Sequence, residues 1–153
     1  MRITEDTPIP IGTLIVNREG EELTETIYYI VRSAHRRNGN SEKCIWTISR
    51  EDEVNCFQDS RLQDWLEDTK GWGLKINAEG SLDEVGISDQ GEILKIGKFR
   101  DDNSTREWHG YPADYCRRQQ DKPSQRILMD WKNKGLINKT QMNRITQCKK
   151  CSL

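Results

Sequence analysis

The sequence predicts an α+β fold: a small mixed sheet with short helices, followed by a C-terminal basic helical hairpin. Three observations carry this. Short apolar and β-branched segments are separated by glycines at 71, 73, 80, 86, 91 and 97. Short segments with helical spacing and capping residues lie between them. Near residue 117 both charge and periodicity change. Strands mixed with short helices in irregular order favour α+β over a regular parallel sheet.

Ile11 to Val16, between Pro10 and Asn17, reads as a first strand. From Glu21 to Arg37, Leu23, Ile27, Ile30, Val31 and Ala34 fall at helical spacing. Acids come early, Arg36 and Arg37 late, and Gly39 is a natural stop, so a helix is predicted. Tyr28, Tyr29 and their β-branched neighbours keep a strand open there. Lys43 to Ile48 reads as a buried strand. Ser49, three residues before Asp52, caps a helix through Phe57. A second short helix is expected over Ser60 to Asp68, with Leu62, Trp65 and Leu66 on one face and Gly71 ending it. Leu74 to Asn77 and Glu92 to Phe99 complete the expected strands.

After a polar linker at Asp101 to Arg106, Pro123 suits a first helical residue, with Ile127, Leu128 and Trp131 on one face. Gly135 breaks that helix, and Asn138 caps a second one bearing Met142 and Ile145. The chain therefore divides into an acidic α+β body (1–100), a linker and aromatic anchoring loop (101–122) and a basic helical hairpin (123–153). The pattern Leu128-x-x-Trp131-x-x-x-Gly135-Leu136-Ile137-Asn138-x-x-x-Met142 resembles the short C-terminal hairpins called SHOCT domains. The resemblance covers about twenty-five residues, and the acids usual in the second helix of those domains are missing here. It implies a small docking hairpin.

Charge supports the same division. Of 24 basic and 25 acidic residues, ten bases and two acids lie in 117–153, leaving 14 bases and 23 acids in 1–116. A net −1 thus conceals about +8 against −9. The hydrophobic share is 33% and mean hydropathy −0.90, thin for a chain of 153 residues beside the ordinary ~45%. The longest apolar run, Ile27 to Val31, is far short of the roughly 20 residues that a membrane span needs. With no leader-like start and an odd number of cysteines (44, 56, 116, 148 and 151), a cytoplasmic protein with reduced thiols is expected.

Four constellations are chemically suggestive. Cys148-Lys149-Lys150-Cys151 has the spacing with which two thiolates reach one zinc ion, and His109 with Cys116 would complete four ligands at the base of the hairpin. Structural zinc is the cofactor this implies, and exposed terminal thiols are the plainer reading. The segment Glu107 to Tyr115 holds His109 and Asp114 among aromatics. It reads either as a general base with its orienting carboxylate or as a packing loop anchored by Trp108 and Tyr111. His35 at a helix end is a solvated cap or part of a basic site. The bases Arg117, Arg118, Arg126, Lys132, Lys134, Lys139, Arg144, Lys149 and Lys150 suit a phosphate backbone, with Lys139, Thr140, Asn143 and Arg144 facing a groove. The same bases would also fit an acidic partner or the chain's own acidic body. Finally, Asp64, Glu67 and Lys75 would have to converge for a nuclease-like metal site, while solvated acids are the default.

The sequence therefore ranks binding above catalysis. The first expectation is a non-enzymatic accessory protein of prokaryotic or phage type, whose basic hairpin docks on nucleic acid or on a larger protein or ribonucleoprotein. The alternative is a small nuclease- or toxin-like enzyme using His109 as general base.

Overall fold

The computed structural model describes residues 3–16, 19–36 and 43–153, with backbone alone for 13–16 and 22–24. The strands are β1 (Ile9–Val16), β2 (Glu22–Tyr29), β3 (Ile45–Trp46), β4 (Leu66–Glu67), β5 (Lys70–Gly73), β6 (Gly86–Ile87), β7 (Ile93–Leu94), β8 (Gly97–Arg100) and β9 (Glu107–Pro112). The helices are α1 (Arg50–Leu62), α2 (Gln125–Asn133) and α3 (Lys139–Thr146). Six strands form one sheet in the order β1-β2-β9-β8-β5-β4, and β3-β6-β7 form a second. Neighbours in the large sheet are antiparallel except β2 and β9. The α+β class and the C-terminal helices are as expected.

Local signals placed the helix starts well. Ser49 accepts from the Asp52 amide at 3.1 Å, with Glu51, Asp52 and Glu53 in the first turn of α1. Asn138 and Gln141 form a full capping box on α3, and Gly135 takes φ +75° in the turn before it. Ser124 caps α2, so Pro123 stands one residue before the cap and not inside the helix.

Other expectations are corrected. The helix predicted over Glu21 to Arg37 is a strand, β2, followed by a short 3₁₀ turn at Ser33–His35. Ile27, Tyr29 and Val31 are buried while Tyr28 is exposed, and β1 pairs along its whole length. Pairing with β1 over all eight residues, with β9 taking Tyr28 and Tyr29 on the other side, outweighs an ambiguous helical spacing. Arg37 and Gly39 lie outside the described residues. The second helix expected from Ser60 does not form, because α1 continues through Leu62. Asp64 and Asp68 then take φ +62° and +59°, folding β4 against β5. The strand predicted at Leu74–Asn77 lies earlier, at Lys70–Gly73, and Ile76 keeps only a single bridge to Leu82. Asp101 to Arg106 is the β8–β9 connection, tied by Asp101, which accepts from the amides of Thr105 and Arg106. Residues 107–112, read as part of an anchoring loop, form a central strand.

The register of β8 with β9 sets Phe99 opposite Gly110 on one face, and Lys98 and Arg100 opposite Tyr111 and His109 on the other. The first face carries the core: Phe99 meets the rings of Tyr29, Trp46 and Phe57, and Phe57 meets Trp108. A Cβ added at Gly110 would lie 2.5 Å from the Phe99 ring and 2.8 Å from the Lys98 carbonyl. The second cluster joins the hairpin to the body. Ile127, Leu128, Trp131, Met142 and Ile145 pack with Trp65, Trp72, Leu74 and Ile96. Trp65 stands edge-on to Trp131 at 5.7 Å and donates from its indole to Asp130 at 2.8 Å.

A buried network pins the segment before α1. Glu53 has no exposed surface, yet it accepts from the Tyr29 hydroxyl at 2.5 Å and from Arg36 Nη2 at 2.7 Å. Arg36 donates further to the carbonyls of Ile48 and Ser49. Burial pushes the Glu53 carboxyl up to about 7, against the lowering pull of Tyr29 and Arg36.

Two outcomes follow for stability. Gly110→Ala should destabilise by about 1–3 kcal/mol, because backbone and ring both block the new methyl group, read as a lower denaturation midpoint. An acid whose folded value is raised favours its neutral form. The Glu53 contribution is therefore fully present below about pH 4.5 and is lost as the pH rises through about 7. Glu53→Gln should flatten that part of the melting profile, and an unchanged profile would contradict the assignment.

Candidate functional site

The bases of the C-terminal segment divide into two groups. Arg117 pairs with Asp89 at 2.7 Å and Glu92 at 3.2 Å, and Lys150 meets Glu92 at 2.6 Å. Arg126 pairs with Glu67 at 2.8 Å and donates to the Asp64 carbonyl. Lys134 joins Asp130 at 2.8 Å and the Gln63 side chain at 3.0 Å. These contacts cross from the hairpin to β4, the end of α1 and the β6–β7 region, so they fasten it in place. Arg144 donates to the Lys150 carbonyl, and Lys122 to that of Thr146. Lys132, Lys139 and Lys149 make no ion pair or side-chain hydrogen bond among the described residues. On α3, Met142 and Ile145 face the core, while Lys139, Thr140, Asn143, Arg144 and Gln147 stay exposed at i, i+4 spacing along the opposite side. The face singled out in the sequence is uncovered.

The four proposed metal ligands are distributed differently. His109 lies on β9, where its Nε2 meets Asp102 at 3.0 Å. Cys151 lies 3.4 Å from the Tyr115 hydroxyl, which donates to the Lys149 carbonyl at 2.9 Å. Cys116, beside the same tyrosine, has its thiol pushed up by burial. Cys148 follows α3 with φ +56°. Among the described residues no three or more His, Cys, Asp or Glu side chains gather where they would hold a metal ion.

The His109 dyad also differs from expectation. Its carboxylate partner is Asp102, while Asp114 faces Arg117 at 3.7 Å. The His109 Nε2 is engaged by Asp102, and its Nδ1 is buried without a hydrogen-bond partner among the described residues. His35 is no solvated cap: its Nδ1 donates to the Cys44 carbonyl at 3.0 Å, and its ring stacks on Tyr111 at 5.2 Å. Burial lowers its pKa. Asp64 and Glu67 both turn to Arg126, and Lys75 to Asp52, so that trio does not converge.

The sequence reading missed the charged face of the central sheet. Trp72, Lys98 and Tyr111 lie in cross-strand register, as do Lys70, Arg100 and His109. The Lys98 ammonium donates to the Gln120 carbonyl at 2.7 Å and sits 4.1 Å from the centre of the Trp72 ring. Burial pushes Lys98 down to about 8. Asp121, also buried, accepts from the Tyr111 hydroxyl at 2.6 Å, and burial raises both groups. The signal was present as two alternating triplets, Lys98-Phe99-Arg100 and His109-Gly110-Tyr111. Reading the second as a loop hid their common face.

Among the described residues no helix is long and apolar enough to cross a membrane. No family model matches the chain, and no curated protein or solved structure matches it either.

Proposed function

We propose that this is a cytoplasmic, non-enzymatic binding protein whose C-terminal hairpin docks on the phosphate backbone of nucleic acid. The observation that carries the reading is the outward side of α3. Lys139, Thr140, Asn143, Arg144 and Gln147 form one exposed polar and basic strip with no carboxylate in it, on a helix whose other side is anchored in the core. Lys149 follows at its end and Lys132 lies on α2, neither with an internal partner among the described residues. A fixed helix presenting cations and short polar side chains matches the way proteins grip phosphates, with affinity driven by counterion release.

Internal pairing narrows the surface. Arg117, Arg126, Lys134 and Lys150 are held by carboxylates, so they contribute mainly to attachment of the hairpin. The working contacts are then Lys132, Lys139, Arg144 and Lys149. An acidic protein partner would use the same cations, and the test below separates the two.

Fluorescence anisotropy with a labelled duplex and its single strand, across a salt series, checks the reading. Four phosphate contacts give a log–log salt slope of roughly −3 to −4. The triple change Lys132→Glu, Lys139→Glu and Arg144→Glu should abolish binding with little effect on the melt. Arg126→Gln should instead lower the melt. Binding indifferent to salt or to the triple change, or binding to an acidic polypeptide and no nucleic acid, would overturn the proposal.

A further inference from the structure

The charged face of the large sheet opens into a cleft of about 250 Å³ between β5, β8 and the segment before α2, lined by Thr69, Lys70, Lys98, Arg100, Asp102 and Gln120 together with Asp121. We infer that this cleft is a binding site for a phosphate group, with Lys98 at its base and Lys70 and Arg100 at its rim.

The decisive feature is the state of Lys98. Its residue is only 2% exposed, and no carboxylate lies within ion-pair distance of its ammonium among the described residues. One of its three donors is spent on the Gln120 carbonyl, and the Trp72 ring covers it from another side. A buried charge without a counter-ion is costly, and proteins retain one where something compensates it. Asp121 acts on Lys98 from beyond ion-pair distance, and its carboxylate accepts from the Tyr111 hydroxyl. Burial holds Lys98 down at about 8, which still leaves it mostly charged near neutral pH, so an arriving anion would meet an ammonium and not a neutral amine.

The rest of the lining is arranged to the same end. Lys70 is exposed and has no ion-pair partner among the described residues. Arg100 is steadied by Asp102, which its Nε meets at 2.8 Å while the same carboxylate holds His109. Asp102 is thus engaged from two sides, and the lining as a whole sets three cations, Lys70, Lys98 and Arg100, against two carboxylates, Asp102 and Asp121. Two ammonium groups and a guanidinium around one small cleft suit a multiply charged tetrahedral oxyanion better than a single carboxylate. An adjoining cavity of about 340 Å³ shares Lys70 and Gln120 and runs past Trp72 to Lys122 and Gln125. It offers room for whatever the phosphate is attached to. The inference is independent of the α3 strip, since none of these residues belongs to it.

The test is a set of melting curves and calorimetric titrations at fixed ionic strength, with inorganic phosphate, a nucleoside monophosphate, and an oligonucleotide with or without a 5′-phosphate. Inorganic phosphate or the monophosphate should raise the melt saturably, in excess of chloride. Preference for the phosphorylated over the unphosphorylated strand would assign the group to a strand end, and binding of the monophosphate alone would assign it to a free nucleotide. Lys98→Met should remove the response while the variant keeps a cooperative unliganded melt, because methionine fills much of the same buried space against Trp72 without the charge. Arg100→Gln, at the rim, should weaken it by at least about tenfold. Lys139→Glu should leave the response to inorganic phosphate unchanged. No response to any of these probes, or one that survives both Lys98→Met and Arg100→Gln, would overturn the inference.

Discussion

The pairing of β8 with β9 is the constraint on which the rest depends. With Phe99 opposite Gly110, the absent side chain lets the Phe99 ring lie against the strand and reach Tyr29, Trp46 and Phe57. A slip of one residue would turn every side chain of the pair to the opposite face. Phe99 would enter the polar side, and Lys98 and Arg100 would be driven among aromatics. The aromatic core and the cationic face are thus two consequences of one register.

The second constraint is the attachment of the helical hairpin. It is no free arm. Trp131 and its neighbours share an apolar cluster with Trp65, Trp72 and Leu74, and Asp130, Arg126 and Lys134 tie its outer edge to the α1–β4 region. Much of the charge contrast between the two parts of the chain is consumed in this attachment. The surface pairs among these contribute little each, so the buried tryptophans carry most of the association, and the ion pairs set its orientation. What remains for an outside partner is smaller than the composition suggests, and it is concentrated on one side of α3.

Some of this was legible in the sequence because its causes are local. Ser49, Asn138 and Gly135 act within four residues of their own position, and the starts of α1 and α3 fall where they indicate, while α2 begins two residues after the Pro123 that was expected to open it. The exposed strip of α3 follows from the same periodicity that buries Met142 and Ile145. Segments whose state depends on distant partners were misread. Glu22–Tyr29 has spacing compatible with a helix, and it is a strand because β1 and β9 flank it. Glu107–Pro112 looked like a loop because its glycine and proline suggest a turn, yet its glycine is what the Phe99 ring requires. His109 lies nearer in sequence to Asp114 but bonds to Asp102, since a hairpin brings residues together across the strands and not along them.

By itself, then, the sequence determined the class of the fold, the capped helices of the C-terminal segment and the uneven distribution of charge, all of which follow from neighbouring residues and composition. Only the tertiary structure decided which charges are spent and which stay available. It paired Arg117, Arg126 and Lys150 with carboxylates far along the chain, and left the Lys98 ammonium buried against Trp72 without one at ion-pair distance among the described residues. The reason is physical. The fate of a charge depends on burial and on partners within a few ångströms, and both are set by strand register and packing between segments that the chain order separates.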